Sequence, residues 1–282
     1  MYKFGYVAIV GRPNAGKSTL TNCLVGEKVA IVSSKPQTTR DNIIGIMNGE
    51  NYQVVLVDTP GVHHSKNKLD KFMNKNVRSA LGGVDLVLYL LDGGKAVDEE
   101  ERAYIEKLQG GETPVVVIKT KADRPLVCDY EADMVVSSLN GEGVEKLKEK
   151  ILDAMPESEE KNFLYDEDYY TDKSVKFLIA EQIREECLNF FKQEVPHGIA
   201  ITIVRFEEKP ALTIVEAEII CEEDRHKGIV IGKGGANLKK IGERARAYAE
   251  ELLGNKVLLK LFVKVEKDWR NNPAKLKNLG FE

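Results

Sequence analysis

The first 155 residues alternate short apolar runs with amphipathic stretches. Apolar runs of four to six residues occupy Tyr6–Val10, Val54–Val57, Leu86–Leu91 and Val115–Ile118. Runs rich in valine and leucine are typical of strands that are buried on both faces of a sheet. Between them, helical patterns cover Ser18–Val25, Lys68–Leu81, Glu99–Leu108 and Gly143–Met155. The alternation predicts an α/β domain with a doubly wound, mostly parallel sheet.

Two features modify this regular pattern. Ile43–Met47 and Tyr52–Val57 are joined by Asn48-Gly49, a strong hairpin signal, so one antiparallel edge strand is expected. A further apolar run, Met134–Val136, follows the strand at 115–118 too closely for a full crossover helix. We expect a shortened or irregular connection there.

A smaller α+β domain is predicted after Pro156, beyond an acidic linker that contains three tyrosines. We place the first domain at 1–156, the linker at 157–173 and the second domain at 174–282. The linker is expected to pack partly on a neighbouring element. The predicted elements of the second domain are helix Val175–Glu194, strands Ile199–Phe206 and Leu212–Cys221, helix Arg225–Ile231, loop Gly232–Gly235, helix Ala236–Leu253 and strand Lys256–Val265.

Composition and charge narrow the class of protein. Hydrophobic residues make up 43% of the chain, which favours packed cores over disorder. No signal sequence and no apolar stretch of about 20 residues is present, so we expect a soluble protein. The four cysteines are scattered, which favours reduced thiols over a zinc site. From Asp224 onward, 14 Lys/Arg face 7 Asp/Glu, whereas residues 1–223 carry a net charge of −11, so the basic end predicts a polyanionic partner.

A phosphate-binding loop is predicted at Gly11–Ser18, which reads GRPNAGKS and fits the pattern G-x-x-x-x-G-K-[ST] between a strand and a helix. Gly11 and Gly16 let backbone N–H groups turn toward phosphate oxygens, and the helix start adds a partial positive charge. Lys17 is expected to reach the β- and γ-phosphates, and Ser18 to ligate Mg²⁺. The segment therefore predicts nucleotide binding.

Two later motifs indicate that the base is guanine. Thr120–Asp123 reads TKAD, and the Asp123 carboxylate can accept hydrogen bonds from the ring N1–H and the 2-amino group, which adenine does not offer. Threonine stands where asparagine is commoner, and its single hydroxyl predicts a lower base affinity than a full amide. Ser137-Ser138-Leu139 resembles a motif whose backbone N–H contacts guanine O6.

Two further segments are expected to sense the γ-phosphate. Asp58–Gly61 reads DTPG at a strand end, where Asp58 can hold Mg²⁺ through water and the Gly61 N–H can meet the γ-phosphate. A polar loop before the hairpin contains Thr38 and Thr39. A threonine hydroxyl there can ligate Mg²⁺ only when the γ-phosphate is present, which would make the loop a switch. We assign this role to Thr39, with Thr38 as the close alternative.

The residue after Gly61 is Val62, where Ras-like enzymes carry a glutamine that orients the attacking water. Valine has no polar atom, so slow intrinsic hydrolysis is expected. Asn14 offers a side-chain oxygen near the β,γ-bridge, and K⁺ held there is predicted to accelerate turnover; a structural role of Asn14 in the turn is equally open. His63 and His64 are interpreted as exposed loop residues rather than catalytic ones.

A second glycine-rich segment, Ile231–Gly235, joins two predicted helices in the basic half. A G-x-x-G loop between helices is the way a KH module holds a single strand, with the loop against the sugar-phosphate backbone and the bases across an apolar groove. Lys233 adds positive charge. The alternative is an ordinary helix–helix turn, but the neighbouring apolar residues, the basic surroundings and the order α-β-β-α-α-β favour a KH module.

Together, these motifs resemble the Era family of bacterial ribosome-assembly GTPases. The G-domain pattern of that family is matched by GRPNAGKS, QTTR, DTPG and TKAD, and its KH domain by GKGG. The resemblance continues through Tyr170–Asp172 and Trp269–Phe281 and thus covers nearly the whole chain. Related families differ, since the tRNA-modifying type ends in a cysteine-bearing box and the Der type has two G domains.

The resemblance implies a type II KH fold, GTP hydrolysis, and binding to the 3′ end of 16S ribosomal RNA in 30S subunit assembly. It also implies a cytoplasmic protein, here expected to be a monomer, in part associated with the inner face of the cell membrane. Lys17, Thr39 and Gly61 are assigned catalytic roles, and Ser18, Thr39 and Asp58 bind Mg²⁺. The assigned nucleotide contacts are Gly11, Asn14, Ala15, Gly16, Lys17, Ser18, Thr19, Asp58, Thr59, Pro60, Gly61, Thr120, Lys121, Asp123, Ser137, Ser138 and Leu139. The assigned RNA contacts are Ile231, Gly232, Lys233, Gly234 and Gly235.

Two other functions remain open at this point. One is an RNA-binding nucleotide switch whose hydrolysis is incidental, and the other is a P-loop ATPase or a small-molecule kinase. Asp123 argues against the second, because its carboxylate suits guanine.

Overall fold

The computed structural model describes residues 1–62 and 65–281, in two compact units. The first unit comprises Met1–Val32, Thr39–His64 and Met73–Asp172, and the second Ser33–Thr38, Ser65–Phe72 and Lys173–Glu282. Two short segments from the first half of the chain therefore pack with the C-terminal half. Within residues 1–62 and 65–281, no helix is both long enough and apolar enough to cross a membrane.

The first unit is built on a seven-stranded sheet, as far as the described residues show. Its strands are β1 (Tyr2–Gly11), β2 (Ile43–Gly49), β3 (Tyr52–Asp58), β4 (Leu86–Asp92), β5 (Val115–Thr120), β6 (Met134–Val135) and β7 (Glu157–Ser158). The order across the sheet is β2-β3-β1-β4-β5-β6, and β7 pairs antiparallel with the start of β1. β2 is antiparallel to β3 and the other neighbours are parallel, so the predicted hairpin is confirmed.

Helices cover both faces of this sheet. They are α1 (Lys17–Val25), α2 (Lys68–Ala80), α3 (Glu99–Gln109) and α4 (Val144–Ala154). Along β1, Val7 and Ile9 share a core with α1 and α4, whereas Ala8 and Val10 share another core with α2 and α3. Both sides of the strand are buried, which explains its uninterrupted apolar run. The predicted doubly wound α/β fold is confirmed.

The segment after β7 lies along the hairpin formed by β2 and β3. The Ile46 N–H donates to the Tyr170 carbonyl at 3.0 Å, and Thr171 Oγ1 donates to the Ile44 carbonyl at 2.7 Å. These bonds fix residues 170 and 171 beside β2, the outermost strand of the sheet. This part of the linker is thus a packed segment of the first unit.

Gln53 is a second anchor for the same segment. Its side chain is fully buried, and Nε2 donates to Asn48 Oδ1 and to the Tyr165 carbonyl, both at 2.9 Å. Its Oε1 accepts from the backbone N–H groups of Leu164 at 2.9 Å and Tyr165 at 3.0 Å. All donors and acceptors of the amide are therefore satisfied, which makes a buried glutamine tolerable inside an apolar strand.

The second unit packs a three-stranded sheet against helices. In chain order its elements are α5 (Val175–Phe190), a 3-10 turn (Val195–Gly198), β8 (Ala200–Lys209), β9 (Leu212–Cys221), α6 (Asp224–Ile231), a 3-10 turn (Lys233–Gly235), α7 (Ala236–Leu253), β10 (Val257–Val265), a 3-10 turn (Trp269–Asn271) and α8 (Pro273–Asn278). The sheet order is β10-β9-β8, with β9 antiparallel to β8 and parallel to β10. Alternate residues of β9 share a core with α5, α6 and α7.

One boundary in this unit was predicted wrongly. The sequence pattern extends α5 to Glu194, but the helix ends at Phe190. Phe191 adopts an extended conformation that leaves its side chain only 4% exposed within the core, and Gln193 has a left-handed φ of 57°. Burial of the phenyl ring outweighs continuation of the helix.

We predict that Gln53→Met destabilises the first unit. Methionine keeps the volume but removes four hydrogen bonds and leaves the Leu164 and Tyr165 backbone groups without these partners. The expected loss is about 2–4 kcal/mol in the free energy of unfolding. Urea unfolding followed by circular dichroism measures it. Asn162→Ala, which removes an exposed amide from the same segment, is the control and should change stability by less than about 0.5 kcal/mol. Equal stabilities of the two variants would contradict the anchor role.

Candidate functional site

The phosphate-binding segment runs directly from β1 into α1. β1 ends at Gly11, Asn14 takes a left-handed φ of 64°, and Gly16 takes a φ of 95° just before α1 begins at Lys17. Along this completely described helix, no side chain caps the N-terminus and no acidic residue occupies the first turn. The N–H groups of that turn and the helix dipole therefore face the loop, where a phosphate is a suitable partner.

Lys17, at the start of α1, and Asp58, at the end of β3, form a buried pair of opposite charges. Lys17 is 6% exposed, and its Nζ donates to the carbonyls of Gly11 at 3.1 Å and Arg12 at 2.9 Å. Burial lowers the pKa of Lys17 to about 8 and raises the pKa of Asp58 to about 6. The two charges do not fully offset each other's lost hydration. Phosphate beside Lys17 and a cation beside Asp58 would complete that balance.

The hydroxyl oxygens of Ser18 and Thr39 lie together beside the Asp58 carboxylate of this pair. Ser18 Oγ donates to Asp58 Oδ2 at 2.6 Å and lies 2.8 Å from Thr39 Oγ1. Asp58 Oδ1 is buried and has no hydrogen-bond partner among the described residues. Such an oxygen donor set, with one unsatisfied carboxylate oxygen, fits Mg²⁺. Of the two candidate threonines, Thr39 reaches this cluster, whereas Thr38 Oγ1 donates to the Lys35 carbonyl at 2.7 Å.

The DTPG segment is fixed against the phosphate-binding loop. Thr59 Oγ1 donates to the Ile9 carbonyl at 2.8 Å, which ties the segment to β1. Gly61 lies so close to the loop that an added Cβ would be 2.6 Å from Pro13 N and 2.7 Å from its Cα. Any side chain at position 61 would therefore push the two backbones apart, which explains the glycine.

Val62 presents no polar group to the site. Its N–H donates to the Gly11 carbonyl at 3.1 Å, and its side chain packs against the core shared with α2 and α3. His63 and His64 lie outside the described residues, so their interpretation as exposed loop residues stays a prediction.

Thr120 connects the base-reading motif to the phosphate-binding loop. It is 3% exposed, and its Oγ1 lies 2.7 Å from the Ala15 carbonyl and 2.9 Å from the Leu91 carbonyl. A hydroxyl has one proton for these two acceptors, whereas an amide NH₂ could donate to both. Thr120 thus still links β5 to the phosphate-binding loop, but it has one hydrogen-bond donor fewer than an asparagine would have.

Asp123 is oriented by the side chain of Ser137, a residue predicted to act through its backbone N–H. Ser137 Oγ donates to Asp123 Oδ1 at 2.8 Å, and this hydrogen bond lowers the pKa of Asp123. The carboxylate therefore remains ionised and ready to accept two donors from a base. Ser138 and Leu139 continue as a turn, in which Leu139 is 72% exposed.

Two ion pairs that the sequence pattern does not reveal stabilise these motifs. Lys121 Nζ donates to Asp92 Oδ2 at 2.8 Å, and Arg12 Nη2 donates to Asp98 Oδ1 at 2.6 Å. Asp98 is the N-cap of α3, so Arg12 joins the phosphate-binding loop to that helix. The only sequence signal was the position of Asp92 at the end of a buried strand, on the same sheet edge as the motifs.

The loop between α6 and α7 depends on three glycines. Gly232, Gly234 and Gly235 have φ values of 72°, 60° and 80°, a region that other residues rarely adopt. A Cβ on Gly232 would lie 2.6 Å from Asn237 Cγ, whose amide donates to the Ile229 carbonyl at 2.9 Å. The predicted loop is a tight turn over Gly232–Gly235, closed by a hydrogen bond from the Gly235 N–H to the Gly232 carbonyl at 3.1 Å.

The side chains around this turn combine charge with apolar surface. Lys233 is exposed, Ile231 is half-buried and Ile229 is 47% exposed. A cation and a close-approaching backbone suit phosphates, and neighbouring apolar side chains suit unstacked bases.

Two family models match different parts of the chain. Residues 6–121 match the model described as a 50S ribosome-binding GTPase, and residues 194–270 match the KH domain model. GTPase Era of Clostridium acetobutylicum is 42% identical over 295 residues, which cover 100% of this chain and 99% of that protein. GTPase Era of Thermoanaerobacter sp. is 43% identical, with coverage of 99% and 97%.

Two solved structures share the fold over their full length. Era in complex with MgGDPNP and nucleotides 1506–1542 of 16S ribosomal RNA has a TM-score of 0.92 at 34% identity, covering 100% of this chain and 99% of that one. A point variant of Aquifex aeolicus Era bound to GDP·AlF4⁻ has a TM-score of 0.91 at 34% identity, covering 99% of both chains.

We predict that Asp123→Asn reverses the base preference. The amide places a donor where the guanine amino group also donates, whereas xanthine offers an acceptor there. The affinity for GTP should fall by roughly a hundredfold, or about 3 kcal/mol. Competition binding of GTP and XTP measures the reversal. Ser137→Ala, which removes only the orienting hydroxyl, is the matched control and should weaken GTP binding without favouring XTP. Unchanged GTP affinity in Asp123→Asn would refute the assignment of the base-reading carboxylate.

Proposed function

This chain belongs to the Era family of GTPases, and on that basis we propose that it binds and hydrolyses GTP and binds the 3′ end of 16S ribosomal RNA during assembly of the 30S subunit. The observation that carries the proposal is the likeness over the full length, at 42% identity to a GTPase Era. Neither half alone would support it as well, because G domains and KH domains each occur in proteins of many functions.

The nucleotide module is assigned to residues 1–156. GTP is the substrate, and Mg²⁺, when bound, neutralises charge on its β- and γ-phosphate oxygens. Ser18, Thr39 and Asp58 are assigned as the groups that hold Mg²⁺, directly or through water. Lys17 binds the phosphates. Burial lowers the pKa of Lys17, and the negative charge of the bound phosphates raises it again. The further proposed contacts are Gly11, Asn14, Ala15, Gly16, Thr19, Thr59, Pro60, Gly61, Thr120, Lys121, Asp123, Ser137, Ser138 and Leu139.

The RNA module is assigned to residues 174–282, with 157–173 as the linker. Ile231–Gly235 contacts the RNA backbone, and the exposed charge of Lys233 pairs with a phosphate. The protein acts in the cytoplasm, where 30S subunits are assembled. A monomeric state and peripheral contact with the membrane are expectations that come from the family alone.

A second candidate is favoured by Val62. Its side chain packs against a core, so no polar side chain directly after Gly61 orients the attacking water. An RNA-binding switch with incidental hydrolysis is consistent with that arrangement. GTP turnover measured with and without the 3′ end of 16S ribosomal RNA separates the two, because a GTPase that acts in assembly should be accelerated by its particle or its RNA.

We predict that K⁺ accelerates GTP turnover more than Na⁺. A K⁺ held by Asn14 would place positive charge where other enzymes use an arginine finger. Asn14→Ala should abolish the difference between the two salts while GTP still binds. Phosphate release in KCl and in NaCl at equal ionic strength measures the effect. Identical wild-type rates in both salts would rule out the cation and leave Asn14 as a turn residue.

We predict that the double substitution Lys233→Asp and Gly234→Asp strongly weakens RNA binding. Two negative charges would face phosphate, and aspartate at a φ of 60° would be strained. The affinity for the 3′ end of 16S ribosomal RNA should fall at least about tenfold, with a weaker salt dependence. Fluorescence anisotropy with labelled RNA measures both.

The other end of α7 offers a matched control for this experiment. Gly254 has a φ of 60° with open space around it, and Lys256 is exposed nearby. Gly254→Asp with Lys256→Asp makes the same charge change and the same backbone strain, and should leave RNA affinity within about threefold. Equal RNA affinities of the two double variants would overturn the loop assignment.

A further inference from the structure

The second unit holds the residues that lead directly into Thr39. Ser33–Thr38 belongs to that unit, together with α5, whereas Thr39 belongs to the first. Thr38 and Thr39 share one peptide plane, which contains the Thr38 carbonyl and both Cα atoms. A group that fixes the Thr38 carbonyl therefore fixes the plane from which the Thr39 side chain projects.

Arg184 of α5 is the group that holds this carbonyl. Its side chain is 3% exposed, and Nη2 donates to the Thr38 carbonyl. The guanidinium is oriented by Glu181 one turn earlier, to which Nε donates at 2.7 Å and Nη2 at 2.5 Å. A hydrogen bond from a charged, buried donor is among the stronger kinds, and the planar guanidinium gives it direction.

The same segment is held from a second side by Asp70. Gln37 Nε2 donates to Asp70 Oδ1 at 2.8 Å, and the Lys66 N–H donates to Asp70 Oδ2 at 2.7 Å. Asp70 is 1% exposed and lies in the first turn of α2. Residues 37 and 38 thus have buried, charged partners on both sides, although the loop before the hairpin carries no regular secondary structure.

We propose that Arg184, a residue of the RNA-binding half, is the positioning residue that keeps Thr39 at the Mg²⁺ cluster in the GTP-bound state. The inference rests on the proposed function. In the first unit, the Thr39 hydroxyl already lies 2.8 Å from Ser18 Oγ. Arg184 does not touch the nucleotide; it lowers the conformational freedom that the switch loop must lose when the γ-phosphate engages Thr39.

The proposal predicts a loss that is specific to the γ-phosphate. Arg184→Met keeps the aliphatic stem but removes the donors, so affinity for a non-hydrolysable GTP analogue with Mg²⁺ should fall about tenfold. GDP affinity should change by less than about twofold, because GDP does not engage Thr39. Calorimetry gives both affinities, and hydrogen exchange of amides 33–40 should show lost protection in the analogue complex. Arg184→Lys, which keeps one charged donor, should recover part of the analogue affinity.

A matched control is available in the same unit. Arg244 of α7 is 63% exposed at its side chain and pairs with Glu186 of α5 at 3.5 Å. Arg244→Met also removes an arginine ion pair on α5, and should leave the preference for the GTP analogue over GDP unchanged. The proposal is overturned if Arg184→Met lowers the affinities for GDP and for the GTP analogue equally, or if it leaves both affinities unchanged.

The wild-type protein allows a measurement that is independent of how any variant folds. The Arg184 guanidinium resonances in a nitrogen-15 spectrum should differ between the GDP and GTP-analogue complexes, since engagement of Thr39 by the γ-phosphate restricts the peptide plane whose carbonyl accepts from Arg184. Identical resonances overturn the inference. A wild-type protein that binds neither nucleotide refutes the proposed function itself, whereas normal nucleotide binding with an insensitive Arg184 refutes only the inference.

Discussion

The burial of Lys17 beside Asp58 is the interaction on which the arrangement of the site depends. Neither charge is fully compensated within the chain, as the opposite pKa shifts of the two groups indicate. The surrounding groups serve to hold this pair in place: carbonyls of the phosphate-binding loop accept from Lys17, and Ser18 donates to Asp58. Phosphate beside Lys17 and a cation beside Asp58 would each favour the charged form of its neighbour, which burial disfavours.

Much of this arrangement follows from sequence because its determinants are local. The apolar runs predicted the parallel sheet, Asn48-Gly49 predicted the hairpin, and the carboxyl ends of neighbouring strands brought the motifs to one edge. What escaped prediction depends on partners distant in the chain. Nothing near Gln53 reveals its bonds to residues 164 and 165, and nothing near Thr120 reveals its position beside Ala15. The early end of α5 likewise reflects where the Phe191 ring finds a core.

The phosphate-binding loop and the turn at Gly232–Gly235 present their lysines differently. In the phosphate-binding loop, a helix begins directly after Gly16, so the helix dipole and a buried lysine face the ligand. In the second turn, α6 ends and α7 begins within four residues, and the cation is an exposed lysine within the turn. A buried cation suits a ligand held in one fixed geometry, whereas an exposed cation suits a flexible polyanion and is screened by salt. The buried Lys17 therefore suits a single nucleotide, and the exposed Lys233 suits an extended RNA, as the proposed function requires.

The bonds between β2 and residues 170–171 also bear on how the chain survives its own synthesis. β2 is an outer strand, and an uncovered outer strand offers unpaired N–H and C=O groups to any other extended chain. Ile44 and Thr171, which meet in the folded protein, are 127 positions apart. β2 therefore leaves the ribosome before the segment that covers it. At about 5–20 residues per second, synthesis of the intervening residues takes several seconds or more. During that interval the nascent first unit is open to β-pairing with its neighbours on a polysome, a hazard that ends once residues 164–171 settle along the hairpin.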